Sequence, residues 1–169
     1  YNLDPHEAIA AGQSFLSWSG EYENYVTAYL FFQWLRIHSA DDKAVYRRIL
    51  DNRDNTYAAV VEETKADIAD KVSDTTAQES DWERTLRSWY VANLFYNPLG
   101  LYGYKKDLPA DLIAHIYAGS SGDPVSLNPG EALFLDITGD MTLAPSGNIA
   151  YAGLTAPASV DLVSAYSGD

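Results

Sequence analysis

The chain has 169 residues, of which 47% are hydrophobic, and it carries a formal net charge of −13 with no cysteine. This length suits one domain with a small appendage, and the hydrophobic content is sufficient for a packed core. The acidic balance argues against nucleic acid and anionic membranes as partners, because phosphate binding needs an excess of Lys and Arg. Without cysteine, the chain has neither disulfides nor thiolate metal sites.

The chain begins at Tyr1 without a Met, so we expect a piece of a longer polypeptide. Acidic, Tyr-rich chains without cysteine are common among exported bacterial proteins, and we therefore expect an extracellular or cell-surface location. The longest apolar stretch, residues 25–37, is shorter than the roughly 20 residues of a membrane-spanning helix. We expect no membrane span in this piece.

The first two thirds of the chain predict helices. Capping signals at residues 4–7 predict a short helix that ends near Leu16. Residues 21–38 are hydrophobic on nearly every side and predict a buried central helix. The next helix has one apolar face, which consists of Val45, Tyr46, Ile49 and Leu50.

Two more helices follow. Residues 56–72 predict one continuous helix with an apolar side and a solvated acidic side, the latter formed by Glu62, Glu63, Asp67 and Asp70. Ser80 and Glu83 have the spacing of a capping box, which predicts the start of a further helix. We expect that helix to end at Asn97 and Pro98.

The pattern changes after residue 107. Turn clusters rich in Gly, Pro and Asn recur about every ten residues. They separate short runs that fit strands, at residues 132–137, 141–143 and 149–154. We therefore predict a mainly α fold, with a helical bundle or lobe over residues 1–107. A small C-terminal β-meander over residues 108–169 would begin a downstream module.

Three histidines are the first candidates for chemistry. His6 and Glu7 begin like the zinc-binding motif HEXXH, but Ala10 stands where the second zinc ligand is needed. We therefore predict no metal site in this chain. His115 lies in an apolar run and is expected to be structural. His38 closes a helix, where a partial positive charge would suit the helix dipole.

Aromatic residues are concentrated between residues 18 and 34. By the residues alone, this block favours a core helix with an aromatic approach. The block also resembles a segment of the hyicolysin-type metallopeptidases, in the thermolysin-like gluzincin group, where the pattern W-x-G…N-Y-G-x-A-Y-L-F-x-x-Y-L occurs. In this chain the pattern comprises Trp18, Gly20 and residues 24–35, with Val26 in place of the usual Gly.

The resemblance extends over about residues 15–107. Residues 81–97 and the following Gly103 and Tyr104 look like the closing helix of the peptidase domain and the exit from it. In this group a HEXXH helix and a downstream Glu hold zinc ahead of the segment seen here. The resemblance therefore implies the C-terminal helical lobe of a zinc metallopeptidase that hydrolyses peptide bonds. This chain alone would hold no cofactor and be inactive, whereas the full-length protein would bind zinc.

The resemblance also implies partners and site residues. The partners would be an N-terminal zinc-binding lobe of the same polypeptide and a peptide or protein substrate. Related aminopeptidases carry a Tyr after the metal site whose hydroxyl stabilises the oxyanion, and Tyr25 matches that position. Tyr29 is the weaker candidate and is expected in the core. Tyr22, Tyr29 and Trp18 are candidates for lining the substrate cleft.

Two other interpretations stay open, so whether the protein is an enzyme is not decided by the sequence. One is a non-catalytic cell-surface domain for binding or scaffolding, with a degenerate peptidase fold. The other is a helical carbohydrate-binding or carbohydrate-processing domain. This last interpretation predicts that Trp18 and Tyr22 are exposed on a groove with acidic residues nearby.

Overall fold

A computed structural model describes residues 15–72, 79–105, 107, 116–117, 132 and 134–135, all within one compact unit. The described part is mainly helical, which confirms the predicted fold class at that level. Its elements are helix α1 (Tyr22–His38), α2 (Ala44–Asp51), α3 (Tyr57–Thr64), a short 3-10 helix (Ala69–Lys71), α4 (Asp81–Phe95), and strands β1 (Ile116–Tyr117) and β2 (Phe134–Leu135).

Helix α1 lies at the centre of the core, as predicted. Its inner side is buried to 2% exposure or less at Val26, Leu30, Phe31, Trp34 and Leu35. Residues from the other described elements complete the cluster: Val60, Ile68, Trp89, Ala92 and Tyr104. The opposite side is exposed at Tyr22, Tyr25 and Tyr29, and the other residues on that side of α1 are half-buried. The prediction of a buried central helix is therefore confirmed except at these three tyrosines.

Helix α2 packs through one side, but not through all of the predicted face. Val45 is fully buried, and the Tyr46 hydroxyl donates a hydrogen bond to the carbonyl of Phe32 at 3.0 Å. Leu50 is 82% exposed. The predicted helix is confirmed, but Leu50 does not belong to its buried face.

The predicted helix over residues 56–72 is interrupted. Helix α3 ends at Thr64, whose hydroxyl donates to the Val60 carbonyl at 2.7 Å. Turns follow, and the Asp67 carboxylate there accepts from the backbone N–H of Ala40 at 2.9 Å. This bond connects the turns to Ala40, two residues after the end of α1, and Ile68 and Ala69 in the same segment are fully buried. Asp67 is therefore a structural group rather than part of a solvated acidic face.

Helix α4 begins with the predicted capping box. The Ser80 hydroxyl accepts from the Glu83 N–H at 3.3 Å, and the Glu83 carboxylate accepts from the Ser80 N–H at 2.7 Å. The helix ends at Phe95, two residues before the predicted stop. Tyr96 adopts the left-handed conformation with φ of 46° and terminates the helix.

The segment after α4, residues 97–105 and here termed the closing loop, returns to the end of α1. The Trp34 Nε1–H donates to the Leu101 carbonyl at 3.0 Å, and His38 Nε2 lies 2.8 Å from the Gly103 carbonyl. A Cβ at Gly103 would lie 1.9 Å from the backbone oxygen of Asn97, so only glycine fits there. The loop thereby fixes the C-terminal half of α1.

Several predictions concern residues outside the described ranges. These are residues 4–14 of the first predicted helix and the strands at residues 141–143 and 149–154; the predicted end of that helix near Leu16 is described and is a bend. Strand β2 lies within the predicted run 132–137, but it pairs in parallel with β1, which was not predicted as a strand. A parallel pair of this kind is not part of the predicted meander, whose other strands lie outside the described ranges. No helix in the described ranges is long and apolar enough to cross a membrane.

Candidate functional site: an exposed aromatic row

Four aromatic side chains are exposed on the outer side of α1 and on the turn that precedes it. Their exposed fractions are 56% for Trp18, 43% for Tyr22, 58% for Tyr25 and 41% for Tyr29. The three tyrosines share one face of the helix because they are three and four residues apart. These four residues are termed the aromatic row below. They are the four residues predicted for the site from the sequence. The expectation that Tyr29 lies in the core is wrong, because 41% of this residue is exposed.

Trp18 packs against Tyr25. The two ring centroids are 4.8 Å apart, and the ring planes make an angle of 74°. Such edge-to-face contacts contribute about 0.5–1.5 kcal/mol beyond the area that they bury. The contact limits the rotation of the Tyr25 ring while its surface remains 58% exposed.

Asn24 holds Trp18 in place through the turn at residues 17–20. Its Oδ1 accepts hydrogen bonds from the Ser19 N–H at 2.9 Å, the Ser19 hydroxyl at 2.9 Å and the Gly20 N–H at 3.0 Å. Its Nδ2 donates to the Ser17 carbonyl at 3.2 Å. Asn24 is only 5% exposed, so these bonds replace water around a buried amide.

Gly20 completes this turn with a φ of +85°, a conformation that favours glycine. No role was predicted for Asn24, although it belongs to the motif. The available signal was a polar residue in the first turn of an apolar helix, four residues after Gly20. Residues 17–20 and the first turn of α1 therefore form one hydrogen-bonded unit. This unit carries Trp18, Tyr22 and Tyr25 of the aromatic row.

The charges near the row are negative. Glu21 is exposed and Glu23 is partly buried, and neither forms an ion pair within the described ranges. At the other end of α1, Arg36 pairs with Asp42 at 2.7 Å and with Asp107. Hydrogen bonds from these carboxylates, Asp107 first and then Asp42, raise the pKa of the Arg36 guanidinium. The cation at the far end of α1 is thus paired, whereas Glu21 and Glu23 have no ion-pair partner among the residues that the structure describes.

His38 is a structural group. It is 7% exposed, and burial lowers the pKa of its imidazole to about 4 despite the opposing hydrogen bond with Gly103. The neutral ring therefore donates its Nε2–H to that carbonyl. The expectation of a partial positive charge on His38 is wrong, because desolvation outweighs the helix dipole.

The described residues do not fit a zinc ion. No group of three or more His, Asp or Glu residues within the described ranges is arranged to hold a metal. His6 and His115 lie outside those ranges. The chemistry that the row itself offers is hydrogen bonding by phenol hydroxyls and contact with apolar or cationic groups through the ring faces.

No protein-family model matches this chain, and no curated protein matches it. The likeness to the metallopeptidases therefore depends on its own motif residues. Within the motif, Trp18 contacts Tyr25, and Gly20 donates to Asn24. Residues separated in the motif thus form one local structure.

Proposed function

We propose that this chain is the C-terminal helical part of a secreted zinc metallopeptidase-like protein that hydrolyses peptide bonds when full-length. The chain alone is inactive in this proposal, because the metal ligands belong to an N-terminal lobe of the same polypeptide. The location is extracellular or on a bacterial cell surface. The observation that carries the proposal is the exposure of Tyr25 within the ordered unit formed by the motif residues Trp18, Gly20 and Asn24.

The position of Tyr25 suits an oxyanion donor. Its ring is restrained by Trp18 at 4.8 Å, and the residue before it is anchored by four hydrogen bonds. A donor that is held in place before the reaction stabilises a developing negative charge without reorganisation. In this proposal the Tyr25 hydroxyl donates a hydrogen bond to the oxyanion of the tetrahedral intermediate. Trp18, Tyr22 and Tyr29 form the wall along which the peptide substrate lies.

The aromatic row also supports a second candidate, a non-catalytic domain for binding or scaffolding at the cell surface. Exposed aromatic side chains grouped on one face are typical anchors of protein interfaces. Four of them occur here on a single helix and its preceding turn. Under this alternative the fold is a degenerate peptidase fold, and the row contacts a partner without chemistry.

Zinc content and casein cleavage by the full-length protein, measured beside this chain, separate the two candidates. The proposal predicts about one zinc ion per full-length molecule, cleavage that a chelator abolishes, and no cleavage by this chain. A full-length protein that binds no zinc and leaves casein intact contradicts the peptidase and leaves the binding domain. A control with zinc added back after chelation distinguishes loss of the metal from loss of the fold.

A further inference from the structure

The aromatic row exposes between 41% and 58% of each of its four aromatic residues within a short distance. Tyr22, Tyr25 and Tyr29 span two turns of α1, which corresponds to a rise of about 10 Å along the helix axis. The Trp18 ring lies beside Tyr25, the middle one of the three tyrosines, with the ring centroids 4.8 Å apart. The row therefore has the length of a few residues of an extended peptide.

Contacts of Trp18, Tyr25 and Asn24 restrict the conformation of the aromatic row. The edge-to-face contact fixes Trp18 against Tyr25, and the buried Asn24 fixes the turn on which Trp18 lies. The inner side of the same helix is locked into the core through Phe31 and Trp34, both fully buried. Binding to a surface that is already ordered loses little conformational entropy.

The electrostatics of this surface favour a cation. Aromatic ring faces carry a partial negative charge and attract ammonium and guanidinium groups. Glu21 and Glu23 add carboxylates that are not paired within the described ranges, while Arg36 is neutralised by its two aspartates. The whole chain has a net charge of −13, which attracts positive ligands at longer range.

We propose that the aromatic row binds Lys and Arg side chains of an extended peptide, so that the substrate class of the site is cationic peptides. This inference rests on the proposed function for the claim that the bound peptide is a substrate. Ring faces of the row contact the aliphatic stems and the charged ends of the ligand side chains. Glu21, at the N-terminal end of the row, supplies the counter-charge.

Calorimetric titration of the 169-residue chain with two unlabelled hexapeptides tests the binding step. One peptide alternates Gly and Arg, and the other replaces each Arg with citrulline, which has a similar shape and no charge. At a fixed ionic strength near 0.15 M, we expect the Arg peptide to bind at least about tenfold more tightly. Equal binding of the two peptides, or no saturable binding of the Arg peptide, overturns the inference.

Variants separate the row from the general negative charge of the chain. The double variant Trp18→Leu and Tyr25→Leu keeps apolar side chains but removes two ring faces, and we expect about five- to twentyfold weaker binding of the Arg peptide. The control Tyr57→Leu removes a Tyr that is 58% exposed elsewhere, on α3, and should leave binding unchanged. If the double variant binds as tightly as the unaltered chain, the peptide is held by diffuse charge and the inference is wrong.

Cleavage by the full-length protein distinguishes a failure of this inference from a failure of the proposed function. Peptides that differ only in Arg or citrulline beside the cleaved bond should differ in kcat/KM by about tenfold. A full-length protein that cleaves both equally well remains a peptidase but contradicts the substrate class. A full-length protein that cleaves neither contradicts the peptidase, and the calorimetric result then decides whether the row still binds cations.

Discussion

Helix α1 carries aromatic residues on its inner side, which faces the core, and on its outer side, which faces solvent. The polar atoms of these two groups of residues differ in their hydrogen-bond partners. On the inner side Trp34 is fully buried, and its Nε1–H donates to the Leu101 carbonyl. On the outer side Tyr25 and Tyr29 are 58% and 41% exposed, and neither hydroxyl forms a hydrogen bond within the described ranges. Buried aromatic groups must find partners inside the protein, whereas exposed ones can bind a ligand. The inner side therefore maintains the fold, and the outer side is available for function.

The largest effect is expected from the core side, on substitution of Trp89. This residue of α4 is fully buried, contacts Phe31, and donates its Nε1–H to the Tyr104 hydroxyl at 3.0 Å. Trp89→Ala leaves a cavity and removes that donor, so the free energy of unfolding should fall by about 3–5 kcal/mol. Chemical denaturation measures it. A loss below about 1 kcal/mol would contradict the assignment of Trp89 to the core.

The second effect concerns His38, and it depends on pH. The folded pKa is about 4 against an ordinary value of 6.5, and Lys105 and Lys71 add to the dominant effect of burial. Above pH 6.5 the ring is neutral in both states, so it makes no pH-dependent contribution. Between pH 6.5 and 4 the unfolded chain binds a proton that the folded chain does not. The free energy of unfolding should therefore fall by up to about 3 kcal/mol across this window.

The variant His38→Gln separates this titration from that of the many carboxylates. Its amide can still donate to the Gly103 carbonyl but does not titrate. Denaturation of both proteins between about pH 7 and about pH 4 should show the unaltered chain losing more stability than the variant. Parallel pH profiles would show that His38 is not buried as a neutral group.

The third prediction concerns Asn24, a buried residue of α1 that is hydrogen-bonded to the exposed turn at residues 17–20. Asn24→Ala removes four hydrogen bonds and leaves the part-buried N–H groups of Ser19 and Gly20 without their protein acceptor, so stability should fall by about 1–2 kcal/mol. Asn24→Asp keeps the acceptor and should lose less. Acrylamide quenching of Trp fluorescence should increase more in the Ala variant, because Trp18 loses its fixed position. Equal quenching in all three proteins would contradict the anchoring role.

The smallest effect on stability is expected on the outer side. Trp18→Ala removes a side chain that is already 56% exposed, so the free energy of unfolding should change by no more than about 1 kcal/mol. The same denaturation measurement applies. A loss comparable to that of Trp89→Ala would show that the two sides do not differ in the way described.

Much of the described fold could be predicted from local signals. The apolar run of α1 and the capping box at Ser80 are properties of neighbouring residues, and both appear as expected. The interruption after Thr64 could not be predicted, because it depends on Asp67 reaching Ala40 from 27 positions away. The exposure of Tyr29 was missed for a related reason. Hydrophobic content alone does not reveal which side of a nearly apolar helix its neighbours cover.

The candidate site was predictable in its members but not in its organisation. The motif contains Trp18, Asn24 and Tyr25, but the role of Asn24 as a buried anchor is shown only by its four hydrogen bonds. A polar residue inside an apolar helix has many local explanations, and spacing alone does not select one.

The most direct test of the proposed catalytic role of the outer side compares Tyr25→Phe with Tyr57→Phe in the full-length protein. Both tyrosines are 58% exposed, so removal of either hydroxyl should leave stability nearly unchanged. The measurement is kcat for peptide cleavage. We expect a decrease of about 10²–10³-fold for Tyr25→Phe, because an oxyanion donor is lost, and no change for Tyr57→Phe. Equal kcat values in both variants and the unaltered protein would contradict a catalytic role of the outer side of α1.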